Sequence, residues 1–439
     1  MGLNVAVAVE TVAAPRTGMG TGVVALLGIA IFINYVDRGN IATAAPLMKD
    51  ELHLSASQLG VLFSAFFWSY IPSQILAGWL AERINAYRTL ALGLALWSLA
   101  TTVSGLATSF GLLVALRLLL GIGESAAFPC SSKLLAQYVP QDRLGTANAA
   151  IATGLALGPA FGTFAGGLLM ARVGWRAIFI VFGLVSALWL LPWLSATRAA
   201  HLRGDEAAKD REPGFRDLLG RRELWGTCIG HFCSNYAFYF VITWMPLYLV
   251  KWRGFSVGEM AAFAGATYLA YAASAQFAGW AADRWMRLGA TANRVRKTSI
   301  ITSLVGVAIA MLACAFGSGK VCIASLFAAG VFFGPGSVNV FAIAQTLAGP
   351  RAAGKWVGIQ NCLGNISGIV GPLVTGLVID RTGEFFWAFA IACGITLFGL
   401  FGWGVMIPDV APISWKELKP ARAHAASGGG ADVLQRIDG

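Results

Sequence analysis

The chain has 439 residues, 57% of them hydrophobic and only 12% charged, with a formal net charge of +11. Soluble domains carry roughly 25% charged residues, so this composition cannot cover a water-facing surface, and lipid must be the main solvent. A soluble enzyme is thereby excluded. The positive charge is read as the usual excess of Lys and Arg in cytoplasmic loops, with no nucleic-acid partner expected.

Residues 1–20 are small and polar; they are read as a cytoplasmic N-terminal segment, and no cleavable leader is expected. A spanning helix needs about 20 consecutive apolar residues. Such runs follow at 21–46, 56–80, 89–108, 111–136, 146–170, 175–197, 224–250, 257–282, 298–317, 321–347, 356–379 and 385–408. They predict an all-α membrane protein of twelve transmembrane helices. A hydrophilic gap at 198–223 is read as a cytoplasmic central loop. It separates a six-helix bundle at 21–197 from a second at 224–408. The Gly/Ala-rich stretch 409–439 is expected to be a disordered cytoplasmic tail.

Charge orients the spans. With the N-terminus inside, the inner loops hold Arg83, Arg88 and Arg143, seven basic residues between Arg198 and Arg222, the cluster Arg284, Arg287, Arg294, Arg296 and Lys297, then Arg351 and Lys355. The outer loops hold Lys49, Arg172, Arg176, Lys251, Arg253, Lys320 and Arg381. The inner excess puts both termini in the cytoplasm.

The two sixes echo each other. Gly78-Trp-Leu-Ala-Glu82-Arg83, closed by Arg88, follows the second span, and Gly279-Trp-Ala-Ala-Asp283-Arg284 follows the eighth. Internal repetition about a central loop marks many transporter folds. Both stretches are read as gating contacts on the cytoplasmic side, because an acid there can reach a helix N-terminus or an Arg. The seven Cys lie in apolar runs without CxxC spacing, so no metal, cofactor or disulfide framework is expected.

Charge inside the bilayer costs several kcal/mol or more, which makes intramembrane ionisable residues functional candidates. Helix 1 carries Asp37 and Arg38, and helix 4 carries Arg117 and Glu124. The latter two are seven residues apart, on one face and about 10 Å apart along the axis. Gly121 and Gly123 are expected to leave room for helix 1 beside them. Burial favours a protonated carboxyl and a nearby Arg an ionised one, so an anion engaging Arg38 would tighten the hold of Asp37 or Glu124 on a proton. That is reciprocal coupling, with Arg as the bidentate anchor. The competing reading is a structural charge network joining helices 1 and 4, with Arg117 serving mainly to position Glu124.

These motifs resemble the major facilitator superfamily. The Gly78-to-Arg88 stretch is similar to its loop motif between helices 2 and 3, with Asn85 where Gly is usual and Tyr87 where the first basic residue is usual. Arg117-x-x-x-Gly121 fits its helix 4, and Gly154-x-x-x-Gly158-Pro159-x-x-Gly162 fits its helix 5. Asn34-Tyr35-Val36-Asp37-Arg38-Gly39-Asn40, with Gly121-Ile-Gly123-Glu124, further resembles the anion:cation symporter family. That resemblance implies two pseudo-symmetric six-helix bundles rocking about a central site, and proton-coupled symport of a small organic anion across the inner membrane. A hexonate or hexuronate is the first expectation, and an aromatic or dicarboxylic acid, or exchange, the alternative. Asp37 and Glu124 are the expected proton-coupling residues. The resemblance implies substrate-binding roles for Tyr35, Arg38, Tyr70, Trp356 and Asn361.

Residue patterns extend that set to Arg117 and to two i,i+4 pairs, Asn235 with Tyr239 on helix 7 and Trp356 with Gln360 on helix 11. Interhelical hydrogen bonding is the competing role for the amides. The four His (His53, His201, His231, His424) fall at loops or helix ends, which argues against a membrane enzyme, and His231 is read as interfacial. The tail is too short for the output segment of a nutrient sensor. A monomer in the lipid bilayer is expected.

Overall fold

The computed structural model describes residues 21–54, 56–202 and 213–415. The expected N-terminal segment, residues 203–212 of the gap and the tail beyond 415 lie outside the described residues. The helices are α1 (Thr21–Glu51), α2 (Ala56–Leu80), α3 (Ala86–Ser104), α4 (Phe110–Glu124), α5 (Ala127–Tyr138), α6 (Leu144–Leu188), α7 (Leu190–Leu202), α8 (Phe215–Leu219), α9 (Arg222–Leu247), α10 (Val257–Arg287), α11 (Ala292–Phe316), α12 (Gly319–Ala348), α13 (Ala353–Asn365), α14 (Ser367–Thr382) and α15 (Phe385–Leu400). The face at which α1 begins is called the near face below, and the opposite one the far face.

The twelve predicted spans are all helical, but their limits shift. Span 4 is divided between α4 and α5, where Ser125 and Ala126 tighten the turn by bonding to Gly121 and Gly123. Span 11 is divided between α13 and α14 at Ile366, which bonds back three residues to Leu363. Span 5 and most of span 6 share α6, interrupted by Gly174 at φ 79°, and span 6 finishes in α7. Polar side chains set several helix starts, with Ser109, Ser256 and Thr291 accepting from the N–H three residues on. Asn85, which stands where the loop motif usually has Gly, caps α3 by accepting from the N–H groups of Tyr87 (2.8 Å) and Arg88 (3.1 Å).

The interior is more polar than the rim, as a bilayer requires. Leu92, Phe164 and Phe316 are about 70% exposed, whereas Glu124, Asn339 and Gln360 are fully buried. In the first half α1 packs on α6, and α4 packs on α2 and α3; in the second, α12 packs on α10 and α11, and α9 on α13 and α15. The halves meet through α6 with α10 and α12, and through α13 with α2 and α5.

Two details differ from expectation. The room left by Gly121 and Gly123 is taken by α2 and α3, not α1: a Cβ at Gly121 would lie 2.5 Å from the Phe66 carbonyl, and one at Gly123 2.8 Å from that of Gly93. It is the helix 5 glycines that admit α1, since a Cβ at Gly158 would lie 2.5 Å from the Tyr35 side chain. The expected tail also begins as ordered chain. The Val410 N–H donates to Asn293 Oδ1 (3.1 Å), while Ile413 N–H and the Trp415 indole donate to the carbonyls of Leu347 (2.9 Å) and Ala348 (3.0 Å) at the end of α12. Those carbonyls have no intrahelical partner, and the apolar bodies of Ile413 and Trp415 pack beside them.

Candidate functional site

Three elements bring the intramembrane charges together. From α1, Arg38 Nε donates to Glu124 Oε2 on α4 at 3.2 Å. The guanidinium lies over the rings of Tyr35, Phe66 and Tyr70, at 4.5, 4.8 and 4.6 Å from their centroids. Such stacking holds a cation while leaving its edge available for hydrogen bonds. The Tyr239 hydroxyl of the second half also faces this guanidinium. Arg117 lies over Phe66 at 5.1 Å, so both arginines share one ring, while the direct partner of Glu124 is Arg38. Asp37 points to α3, where the Thr101 hydroxyl donates to its Oδ2 at 3.2 Å, and its Oδ1 has no protein partner.

Beside this cluster a narrow cavity runs between the halves. The first half lines it with Tyr35, Phe128, Ile151, Ala152 and Leu155. The second half supplies His231, Asn235, Phe238 and Tyr239 from α9, Tyr271 from α10, Ser337, Val340 and Phe341 from α12, and Asn361 and Asn365 from α13. His231 is therefore not interfacial. It is buried along α9, about 13 Å into the helix from Arg222 at 1.5 Å per residue, with its ring edge-on to Phe341 at 5.4 Å and Nδ1 3.4 Å from Gln360 Nε2. Trp356 and Gln360 do not line the cavity. The Trp356 indole donates to Thr227 Oγ1 (3.0 Å), and Gln360 Nε2 donates to the Val340 carbonyl (3.3 Å). Asn361 does line it and donates to Gln74 of α2, a buried residue that the sequence reading passed over. Among the described residues no group of three or more His, Cys, Asp or Glu could hold a metal ion.

Toward the near face the two repeated motifs perform one operation twice. Glu82 Oε1 accepts from the Gly354 N–H (2.7 Å) at the start of α13, in the other half. Asp283 Oδ1 and Oδ2 accept from the N–H groups of Gly145 (2.8 Å) and Thr146 (2.7 Å) at the start of α6, again in the other half. Each acid thus neutralises the positive end of a helix dipole. The motif glycines make the approach possible: a Cβ at Gly78 would strike the Gly354 carbonyl, and one at Gly279 would lie 2.6 Å from that of Gly145. The motif bases stand differently. Arg83 and Arg284 are exposed, as is Arg88.

Two basic residues not singled out from the sequence join the cross-half contact. Lys133 pairs with Glu82 and donates to the Pro350 carbonyl (2.5 Å). Arg296 is buried and reaches the Gln141 carbonyl (3.3 Å). Asn148 and Gln345 exchange hydrogen bonds of 2.7 and 3.1 Å across the same boundary.

Comparison with known proteins agrees with this architecture. The family model described as Major Facilitator Superfamily matches residues 27–291 and 286–429. The chain is 31% identical over 389 residues to a probable sulfoacetate transporter of Cupriavidus necator, covering 84% of this chain and 90% of that protein. It is 29% identical over 438 residues to a probable galactarate/D-glucarate transporter of Escherichia coli, covering 92% and 96%, and 28% identical over 410 residues to an E. coli D-galactonate transporter, covering 88% and 95%. Among solved structures, the transporter FucP in its outward conformation matches with a TM-score of 0.70 at 15% identity, over 87% of this chain and 98% of that one. The chain belongs to the Major Facilitator Superfamily, and it is a multi-pass membrane transporter rather than an enzyme.

Proposed function

We propose that the protein carries a small organic anion together with protons, by alternating access between its two halves, in an inner membrane with both termini in the cytoplasm and as a monomer. The observation that carries this reading is the Arg38–Glu124 pair, in which a guanidinium held over the ring of the cavity-lining Tyr35 is joined to a buried carboxylate. An anion that takes the guanidinium fork removes the counter-charge of Glu124, and a proton then replaces it. Substrate and proton load together because each makes the other's site more favourable. Asp37, held only through Thr101, is the second proposed proton carrier. The Glu82 and Asp283 contacts hold the near face shut, and they must break for release on that side. The basic residues gathered at the near face support its cytoplasmic assignment.

The relatives named above carry sulfoacetate, galactarate or glucarate, and galactonate. These share an anionic group and differ in the body attached to it. Sugar acids such as hexonates and hexuronates are the first substrates to try on that ground; the apolar first-half wall of the cavity favours an aromatic acid as the second. The experiment is uptake into proteoliposomes driven by an imposed pH gradient, with lumenal pH followed by an entrapped dye. Concentrative uptake of an anion with matching lumenal acidification is expected. Uptake that leaves the lumenal pH unchanged would remove proton coupling.

A further inference from the structure

Taking the far face to lie outside the cytoplasm, as proposed above, we infer that Cys314 and Cys322 form a modification site, a disulfide that staples the far ends of α11 and α12. α11 starts beside the near-face Asn293–Val410 contact and runs across to Phe316, so Cys314 lies in its last turn. Cys322 lies in the first turn of α12, which runs back. The two Sγ atoms stand 2.9 Å apart, and a disulfide, with sulfurs about 2.05 Å apart, asks for a further approach of about 0.9 Å. Both side chains are buried in one apolar cluster with Tyr248, Phe385 and Phe389. Among the described residues no other pair of cysteine sulfurs is in contact, and no third His, Cys, Asp or Glu joins these two as a metal ligand.

The backbone on both sides of the pair is held in place. Arg253, just beyond α9, donates from Nη2 to the carbonyls of Cys314 (2.6 Å) and Gly317 (2.5 Å), and the Tyr248 hydroxyl donates to the Cys314 carbonyl (3.3 Å). The Cys322 N–H donates to the Ser318 carbonyl (2.8 Å). Gly317 permits the tight turn between the helices, since a Cβ there would strike the Val321 side chain. Thiols held so close lose little freedom on bonding, and the bond then keeps the unfolded chain from separating the two helix ends. Disulfides form and persist in oxidising compartments outside the cytoplasm. The oxidant is a protein disulfide of that compartment. One thiolate attacks it to form a mixed disulfide; the second attacks the sulfur of the first and releases the carrier as a dithiol. Two electrons pass to the carrier, and the two thiol protons end on its sulfurs. Exchange takes place while the α11–α12 turn is still open to solvent, and packing against Tyr248 and α15 then shields the bond.

Thiols of the full-length protein are trapped with acid in intact cells, alkylated in denaturant without reductant, and read peptide by peptide. A linked Cys314–Cys322 peptide is expected, with the other five cysteines alkylated. Alkylation of both Cys314 and Cys322 overturns the disulfide. Protein prepared under reductant throughout should unfold in detergent at a midpoint lower by about 5 °C, and an equal midpoint overturns the staple. In Cys314→Ser the two preparations should unfold together; a persisting difference also overturns it. The compartment is read separately. Lys251→Cys, exposed just beyond α9, should react in intact cells with a membrane-impermeant maleimide. If it reacts and Cys314 and Cys322 are both free, the disulfide fails while the orientation stands. If it reacts only after lysis, the far face is cytoplasmic, and the orientation and the inference built on it fall together.

Discussion

The first half sets a cluster of charges beside the cavity, and the second lines the cavity with neutral polar groups. On one side stand Asp37, Arg38, Arg117 and Glu124, packed around aromatic rings. On the other stand His231, Asn235, Tyr239, Asn361 and Asn365, the last three linked by amide and hydroxyl contacts. Charges buried in a low dielectric interact strongly with any proton or anion that enters, and their balance can be changed by one unit at a time. Neutral groups respond to shape and to hydrogen-bond geometry. The division suggests that the first half handles energy coupling and anion capture, while the second half reads the rest of the substrate.

That division can be broken most severely at Arg38. Arg38→Ala leaves Glu124 buried without its partner, a loss of about 3 kcal/mol or more, and initial uptake should fall at least about 100-fold. Arg38→Lys keeps the charge but not the planar fork, so wild-type affinity in Arg38→Lys would remove the bidentate-anchor role. Next in size, Glu124→Gln and Asp37→Asn should abolish concentrative uptake while counterflow exchange persists. Equal loss of both activities would mean that coupling is not separable from binding.

The near-face contacts should respond with intermediate effects. Glu82→Gln and Asp283→Asn each weaken charge-assisted bonds worth about 1.5–3 kcal/mol, so either should shift the protein toward a near-side-open state. Peptide-resolved alkylation of Cys130, fully buried on α5, should speed up in both variants, and unchanged labelling would dissociate these acids from gating. The smallest effect is expected on the second half's own side. Asn235→Ala should change KM for the best substrate by about tenfold, near 1.4 kcal/mol, without changing the proton-to-substrate ratio. A change in that ratio would erase the division between halves.

Much of the fold could be read from apolar runs alone, because lipid imposes a length and a composition that few other environments do. The charged residues of helices 1 and 4 stood out for the same reason, each being an exception in a hydrocarbon setting. What escaped was mostly a matter of facing. A period of 3.6 residues groups Trp356 with Gln360 but does not say whether that face meets the cavity or, as found, Thr227 and Val340. His231 looked terminal because Arg222 and Glu223 sit so close in sequence, yet a helix carries a side chain two and a half turns inward over that distance. Lys133 and Arg296 were hidden because cations close to a span end are usual for the cytoplasmic side, and only the folded chain shows them enclosed between the halves. Glu82 and Asp283 were legible as acids able to reach a helix N-terminus. Which helix each would reach, and that it belongs to the other half, required the packing.

That exchange of acids has a consequence for the opened transporter. While the near face is shut, the first turns of α6 and α13 are terminated by carboxylates belonging to the opposite half. Separating the halves strips both at once, and the freed N–H groups, each at the positive pole of its helix, come to flank the widening exit. A departing anion would therefore cross a doorway whose two posts carry partial charge of the opposite sign, created by the same movement that releases it.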